Sequence, residues 1–191
     1  MKSSKSISVV RQQYAQCVFN SKIQRNMCTQ YSDKAKIFKI IEIVLSGILG
    51  VTFLALQIQF SGNQILIPVG LVLTVLQIGF LIYTNSFNPE MKSNHSRLSS
   101  HKYRTLRDEY LHLLADYLEN KTDSGVLDSR KDLILEKYTQ VSDDAPDTNS
   151  KAYIDSQKQL GTADLPDKGH YTWTDAEIDL FLPTELKSKN N

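Results

Sequence analysis

The sequence predicts an all-α membrane protein: a two-helix transmembrane hairpin flanked by cytosolic amphipathic helices and followed by a partly disordered acidic C-terminal region. Three observations carry that prediction. No Asp, Glu, Lys, Arg or His occurs between Ile43 and Pro89, a run of 47 residues in a chain of 191 that is 23% charged. That composition would by chance place about 11 charges in such a run, so the segment is built for a different solvent. The net charge of +1 conceals three regions, with +6 over residues 1–36, +4 over residues 84–107 and −9 over residues 108–191. Finally, apolar residues outside the run recur at spacings of three and four, the period of a helix with one buried face.

The first region, residues 1–36, places Ile7, Val10, Tyr14 and Cys17 at spacings of 3, 4 and 3. Cys28 and Tyr31 fall in the same register beyond the polar Ser21 and Gln24, which makes an amphipathic helix of heptad type with a weakened middle. Cys17 and Cys28, 11 residues apart, would sit about 16 Å apart on one helix and cannot bridge each other.

The second region, residues 37–83, holds two apolar stretches, Ile37 to Phe60 and Ile65 to Tyr83, joined by Ser61, Gly62, Asn63 and Gln64. At ~1.5 Å per residue they span roughly 36 and 28 Å, against a hydrocarbon core of about 30 Å. The alternative, a buried soluble hairpin, would require the rest of a polar chain to wrap two helices that are apolar on every face. A cleaved signal peptide is not expected, because the apolar stretch starts near residue 37 and a second follows at once. Both outer flanks are basic and the connecting loop is uncharged, so the positive-inside rule places both termini in the cytoplasm.

Within the hairpin, Pro68 lies in the first turns of the second span, where a missing backbone donor costs least. Ser46 and Gly50, with Gly47 beside them, form a small-xxx-small pair that either lets another helix approach or reflects the frequency of small residues in membrane helices. Gln57 and Gln77 are amides suited to hydrogen bonding between helices or, in an assembly, to facing water. Glu42 is an ionisable residue near the cytoplasmic end of the first span. It either serves function or makes an i, i+3 pair with a snorkelling Lys39.

The third region, residues 84–140, repeats the helical stripe as Tyr103, Leu106, Tyr110, Leu113 and Tyr117. The two stripes are expected to pack on each other or on copies in an oligomer. Lys102, Arg104 and Arg107 leave open a helix lying on anionic lipid, against which the following acids argue. Leu127, Leu133, Ile134, Leu135 and Tyr138 predict a further short helix after Ser124 and Gly125.

The last region, residues 141–191, reads as an acidic linker from Val141 to about Gly169, followed by a C-terminal apolar segment. Tyr171, Trp173, Ile178, Phe181 and Leu182 cluster there, and Thr174 with Glu177 fits a capping box opening a short helix that stops at Pro183. An apolar cluster on an acidic tether is either a docking peptide, with Trp173, Ile178, Phe181 and Leu182 as its contact residues, or a segment that folds back onto the cytosolic helices. Fold-back is the commoner outcome.

Catalytic signatures are missing: there is no phosphate-cradling glycine loop, no CxxC, no HExxH and no Gly-x-Ser-x-Gly. His95, His101, His112 and His170 are not spaced as a metal set, and the acids form no dyad. No enzyme, cofactor or metal site is expected, nor direct binding of nucleic acid. Asn94 and Asn120 head glycosylation patterns that a cytosolic location would leave unused.

The hairpin Ile37 to Tyr83, the helix carrying Tyr103-Arg104-Thr105-Leu106, and the ending Trp173-Thr174-Asp175-Ala176-Glu177-Ile178-Asp179-Leu180-Phe181-Leu182-Pro183 resemble the SLATT proteins, two-transmembrane effectors that accompany bacterial conflict systems. The resemblance implies an inner-membrane effector that oligomerises, permeabilises the membrane and causes abortive infection in antiviral defence. It further implies a cytosolic sensor as partner, of the second-messenger-producing nucleotidyltransferase or reverse-transcriptase type. On this reading Glu42, Ser46, Gly50, Gln57 and Gln77 are the candidate pore or helix-contact residues. The alternative is a non-conducting membrane anchor or adaptor that recruits a cytosolic partner through its helices and C-terminal segment.

Overall fold

The heptad stripe before the hairpin and the first apolar stretch belong to one uninterrupted helix, α1 (Lys2–Gln57). This is a computed structural model and it describes residues 2–57, 63–119, 123–162 and 173–187; the loop residues Ser61 and Gly62, the end of the first span at Phe60, and Tyr171 lie outside it. The remaining elements are α2 (Asn63–Phe87), α3 (Pro89–Glu119), α4 (Ser124–Asp144), α5 (Ser150–Gln159), α6 (Asp175–Asp179) and a 3-10 turn (Thr184–Leu186). No strand occurs among the described residues. The chain divides into two units, Met1–Cys28 with Asn94–Asn191, and Thr29–Ser93.

The first unit is a helical bundle with a conventional core. Val10, Tyr14 and Cys17 of α1 are buried with Tyr103, Leu106, Tyr110, Leu113 and Tyr117 of α3, so the two stripes pack on each other. Burial of each such side chain stabilises the bundle by roughly 1.5–3 kcal/mol. The weakened middle of the first stripe has a matching partner. Ser21 and Gln24 are buried, as are Ser96, Ser99 and Ser100 on α3, and Ser100 Oγ donates to the Ser21 carbonyl at 2.9 Å. Small hydroxyl side chains here allow close approach of the two helices; Ser21 Oγ and Ser100 Oγ donate to backbone carbonyls, whereas the buried Ser96 Oγ has no partner among the described residues.

Helix α4 is longer than its stripe suggested and ends where Pro146 follows Ala145, since a residue preceding proline is pushed out of the helical region. Leu127 and Ile134 reach the core, whereas Leu133 and Leu135 are exposed. The stretch from Val141 to Gly169, read as linker, contains the end of α4 and the whole of α5. Asn149 caps α5 by accepting from the Ala152 amide at 2.8 Å. Its buried face is only Ala152 and Ser156, with Phe19 meeting Tyr153 edge-on at 5.2 Å. So narrow an apolar face leaves little periodicity to read.

The second unit is a helical hairpin. Asn63 and Gln64, assigned to the loop, open α2, and the helix continues four residues beyond Tyr83 to Phe87. A single residue, Asn88, separates α2 from α3. Its φ of 41° lies in the left-handed region that asparagine tolerates better than most side chains, and its Oδ1 accepts from the Met91 amide at 3.1 Å.

Candidate functional site

Two places hold the sequence-predicted site residues, one in each unit. In the hairpin, apolar side chains point outward along both spans: Val51 is 68% exposed and Val75 is 69% exposed. Both helices are long and apolar enough to cross a membrane. Hydroxyls within them are satisfied by their own backbones, Thr52 donating to the Ile48 carbonyl at 2.9 Å and Thr74 to the Gly70 carbonyl at 2.8 Å. That back-bonding removes the cost of placing a hydroxyl in hydrocarbon.

Among the described residues, a polar contact crosses the hairpin at mid-span. Gln77 Nε2 donates to Ser46 Oγ at 2.9 Å, while Gln77 Oε1 is shielded and accepts no hydrogen bond among the described residues. Gly50, one turn from Ser46, faces open space, as do Gly47 and Gly79; a methyl group added at any of them would meet nothing within 4 Å. The small-residue face is therefore divided. Ser46 is engaged by the second span, and Gly47 and Gly50 are left uncovered.

The other predicted hairpin residues are not gathered with this pair. Gln57 is exposed at the end of α1. Glu42 is exposed and forms no ion pair with Lys39. Both instead line a cavity of about 250 Å³ with Phe38, Asn85, Asn88 and Glu90.

In the bundle, the C-terminal segment folds back. The predicted capping box is present, with the Thr174 amide donating to Glu177 Oε2 at 2.8 Å and the Glu177 amide to Thr174 Oγ1 at 3.4 Å. It starts α6, which buries Ile178, and the turn that follows buries Leu182. Trp173, Phe181 and Leu186 pack against the same core. Polar contacts from Arg11 and Tyr14 tie the segment to α1. The buried Arg11 guanidinium binds Asp175 at 2.8 Å and Asp179 at 2.5 Å, and Tyr14 Oη donates to the Phe181 carbonyl at 3.1 Å. Trp173, Ile178, Phe181 and Leu182 are thus occupied by the bundle itself, so a partner contacting them has to compete with that core.

Arg11 is the residue that sequence reasoning missed. A signal existed: Arg11 lies one turn before Tyr14 on the apolar face, and Asp175 and Asp179 stand at i, i+4 on α6, where two carboxylates share one side of a helix. Burial also shapes the thiol and phenols of the core. Desolvation pushes the Cys17 thiol up to about 12 and the Tyr138 phenol up to about 12, the latter helped by the neighbouring Tyr103. A buried thiol of this kind is inert. Asp128, at the surface, is held below the usual carboxylate range, first by a hydrogen bond from Tyr117 Oη and then by Lys131.

A second cavity, about 490 Å³, opens between α3 and α4. Its charges are already paired, Arg130 with Asp116 at 2.6 Å and Lys137 with Glu109 at 2.9 Å, around His112. No nucleophile with an adjacent base lines it, and no group of three or more potential metal ligands exists among the described residues. Comparison with protein families matches residues 7–177 to the family described as the SMODS and SLOG-associating 2TM effector domain family 4. Searches of curated proteins and of solved structures each returned no match.

Proposed function

The chain belongs to the SMODS and SLOG-associating 2TM effector domain family, as a membrane effector of conflict systems, and on that premise we propose that it oligomerises in the bacterial inner membrane and permeabilises it when a cytosolic sensor signals. Both termini are cytoplasmic on this reading, because the basic residues flank the hairpin and its loop is uncharged. The observation that carries the proposal is the Gln77–Ser46 contact at the centre of an otherwise outward-apolar hairpin. An amide at that depth, with its carbonyl still lacking a donor, is expensive in hydrocarbon. It becomes inexpensive where several hairpins surround water or one another.

Two helices cannot enclose an aqueous path, so conduction needs several copies. The uncovered Gly47 and Gly50 supply a face on which a neighbouring helix can approach closely. On this reading the protein acts on the bilayer and not through catalysis. Its partner is a sensor associated with SMODS or SLOG systems, such as a nucleotidyltransferase that makes a second messenger.

The test is membrane potential, read with a voltage-sensitive dye in bacteria expressing the chain together with its genomic partner. A control carries both spans replaced by unrelated transmembrane helices. Depolarisation with the native spans alone supports the pore. If Glu42→Ala and Gln77→Leu both leave ion flux intact, the lining assignment is wrong. A hairpin that can be exchanged without loss of function points to the adaptor reading, which the folded-back Trp173 to Leu182 segment would serve as a partner contact.

A further inference from the structure

The end of the hairpin remote from its loop carries a cluster that the proposed pore does not use. Tyr31 and Phe38 of α1 meet Phe80, Tyr83 and Phe87 of α2. Phe38 lies 5.9, 5.8 and 6.0 Å from the last three rings, and Tyr83 stacks on Phe87 at 6.1 Å. Aromatic residues collect at this depth because their rings suit the boundary between headgroups and acyl chains.

Two lysines are drawn onto this collar. Lys92 Nζ lies 4.1 Å from the centre of the Phe87 ring and 6.0 Å from that of Tyr31. Lys34 Nζ lies 5.5 and 5.8 Å from the same two rings. The Asn88 junction makes this possible, since its left-handed turn starts α3 at once and returns Lys92 over the last residue of α2. Neither ammonium group has a carboxylate within ion-pair distance among the described residues, whereas the adjacent Lys36 is paired with Asp33 at 3.4 Å. The nearby acids, Glu42 and Glu90, face the neighbouring cavity beside Lys39.

Ring faces attract cations, but they leave two like charges gathered on the same pair of rings without a counter-ion. At headgroup level the anion present at high local concentration is a lipid phosphate. We propose that Lys34 and Lys92, seated on Tyr31 and Phe87, form a binding site for the phosphate of an anionic phospholipid. The aromatic collar packs against the upper acyl chain, and the two ammonium groups clasp the phosphodiester. The inference rests on the membrane placement of the hairpin and is independent of whether it conducts.

The test is native mass spectrometry of the full chain released from detergent with added phosphatidylglycerol or phosphatidylcholine, alongside flotation with vesicles of each lipid. Each lysine near an anionic surface contributes about fivefold. The wild type is therefore expected to prefer phosphatidylglycerol by up to roughly 30-fold, Lys34→Gln with Lys92→Gln to lose the preference, and the double arginine variant to keep it. Lys36→Gln should leave it unchanged. A preference that survives the double glutamine variant, with helical content intact, overturns the site. Displacement of the lipid by millimolar inorganic phosphate would assign the lysines to a soluble anion instead. Failure to float with either vesicle would refute the membrane placement itself, whereas flotation with no preference between lipids refutes only the site.

Discussion

The bundle and the hairpin are built from the same element and arranged inside out with respect to each other. In the bundle Val10, Tyr110, Leu113 and Leu114 are wholly buried and, apart from Arg11 and Glu177, the charges of the described residues lie toward the surface. In the hairpin Leu71 and Val75 are 64% and 69% exposed, and a glutamine and a serine meet between the helices. Helix α1 contributes to both arrangements without a break. Water drives apolar side chains inward in the bundle, but lipid gives no such reward, so hairpin helices associate through small residues, packing and hydrogen bonds.

The strongest test of the contrast pairs Leu113→Ala with Val75→Ala in the full chain reconstituted in nanodiscs. The core substitution should cost about 2–5 kcal/mol and the lipid-facing one within about 0.5 kcal/mol, measured by denaturant unfolding. Equal losses would mean that the hairpin is not lipid-facing.

Asp179→Ala comes next. It leaves the buried Arg11 with Asp175 alone and should cost about 1–3 kcal/mol, with faster hydrogen exchange confined to residues 173–187.

Alkaline pH should probe the bundle core in particular. Cys17 is raised from 9.0 to about 12 in the folded state, so its contribution is whole below the unfolded value and declines as pH rises toward the folded one. At pH 10 the loss is on the order of 1 kcal/mol. Cys17→Ala should flatten that part of the profile, and native Cys17 should resist alkylation at pH 8 while half-buried Cys28 reacts.

In the hairpin, Gln77→Leu removes one interhelical hydrogen bond and should change stability by about 0.6 kcal/mol, at most about 1.7. Tyr110→Phe should be neutral or stabilising by about 1 kcal/mol or less, because the buried hydroxyl has no protein partner among the described residues. A large loss would show that this hydroxyl has a partner in solution.

The sequence made much of this legible because most of it is periodic. The uncharged run specified the hairpin, and the Tyr103 to Tyr117 stripe named five residues that are all buried. The stripe in fact begins earlier, at Ser96 and Ser99, which keep its spacing. Serine reads as surface when its opposite number is unknown, and only the fold sets the neighbouring Ser100 against Ser21. Helix α5 was obscured for a similar reason, its buried face being one alanine and one serine. Of the site, Ser46 and Gln77 are brought together, but no local pattern announces that they pair with each other. Arg11 was hidden by distance along the chain, since its partners are 164 and 168 residues away.

That separation bears on biogenesis. The residues closing the bundle over Arg11 and Tyr14 are translated after the entire hairpin. At 5–20 residues per second, the interval between completion of α2 and synthesis of Leu182 is roughly 5–20 seconds. During that time the stripe of α1 lacks its last cover, while both spans are already available to the insertion machinery. A nascent chain therefore has both spans available to the bilayer before its bundle can be finished, and a product cut short by stalled translation would be incomplete at the Arg11 face.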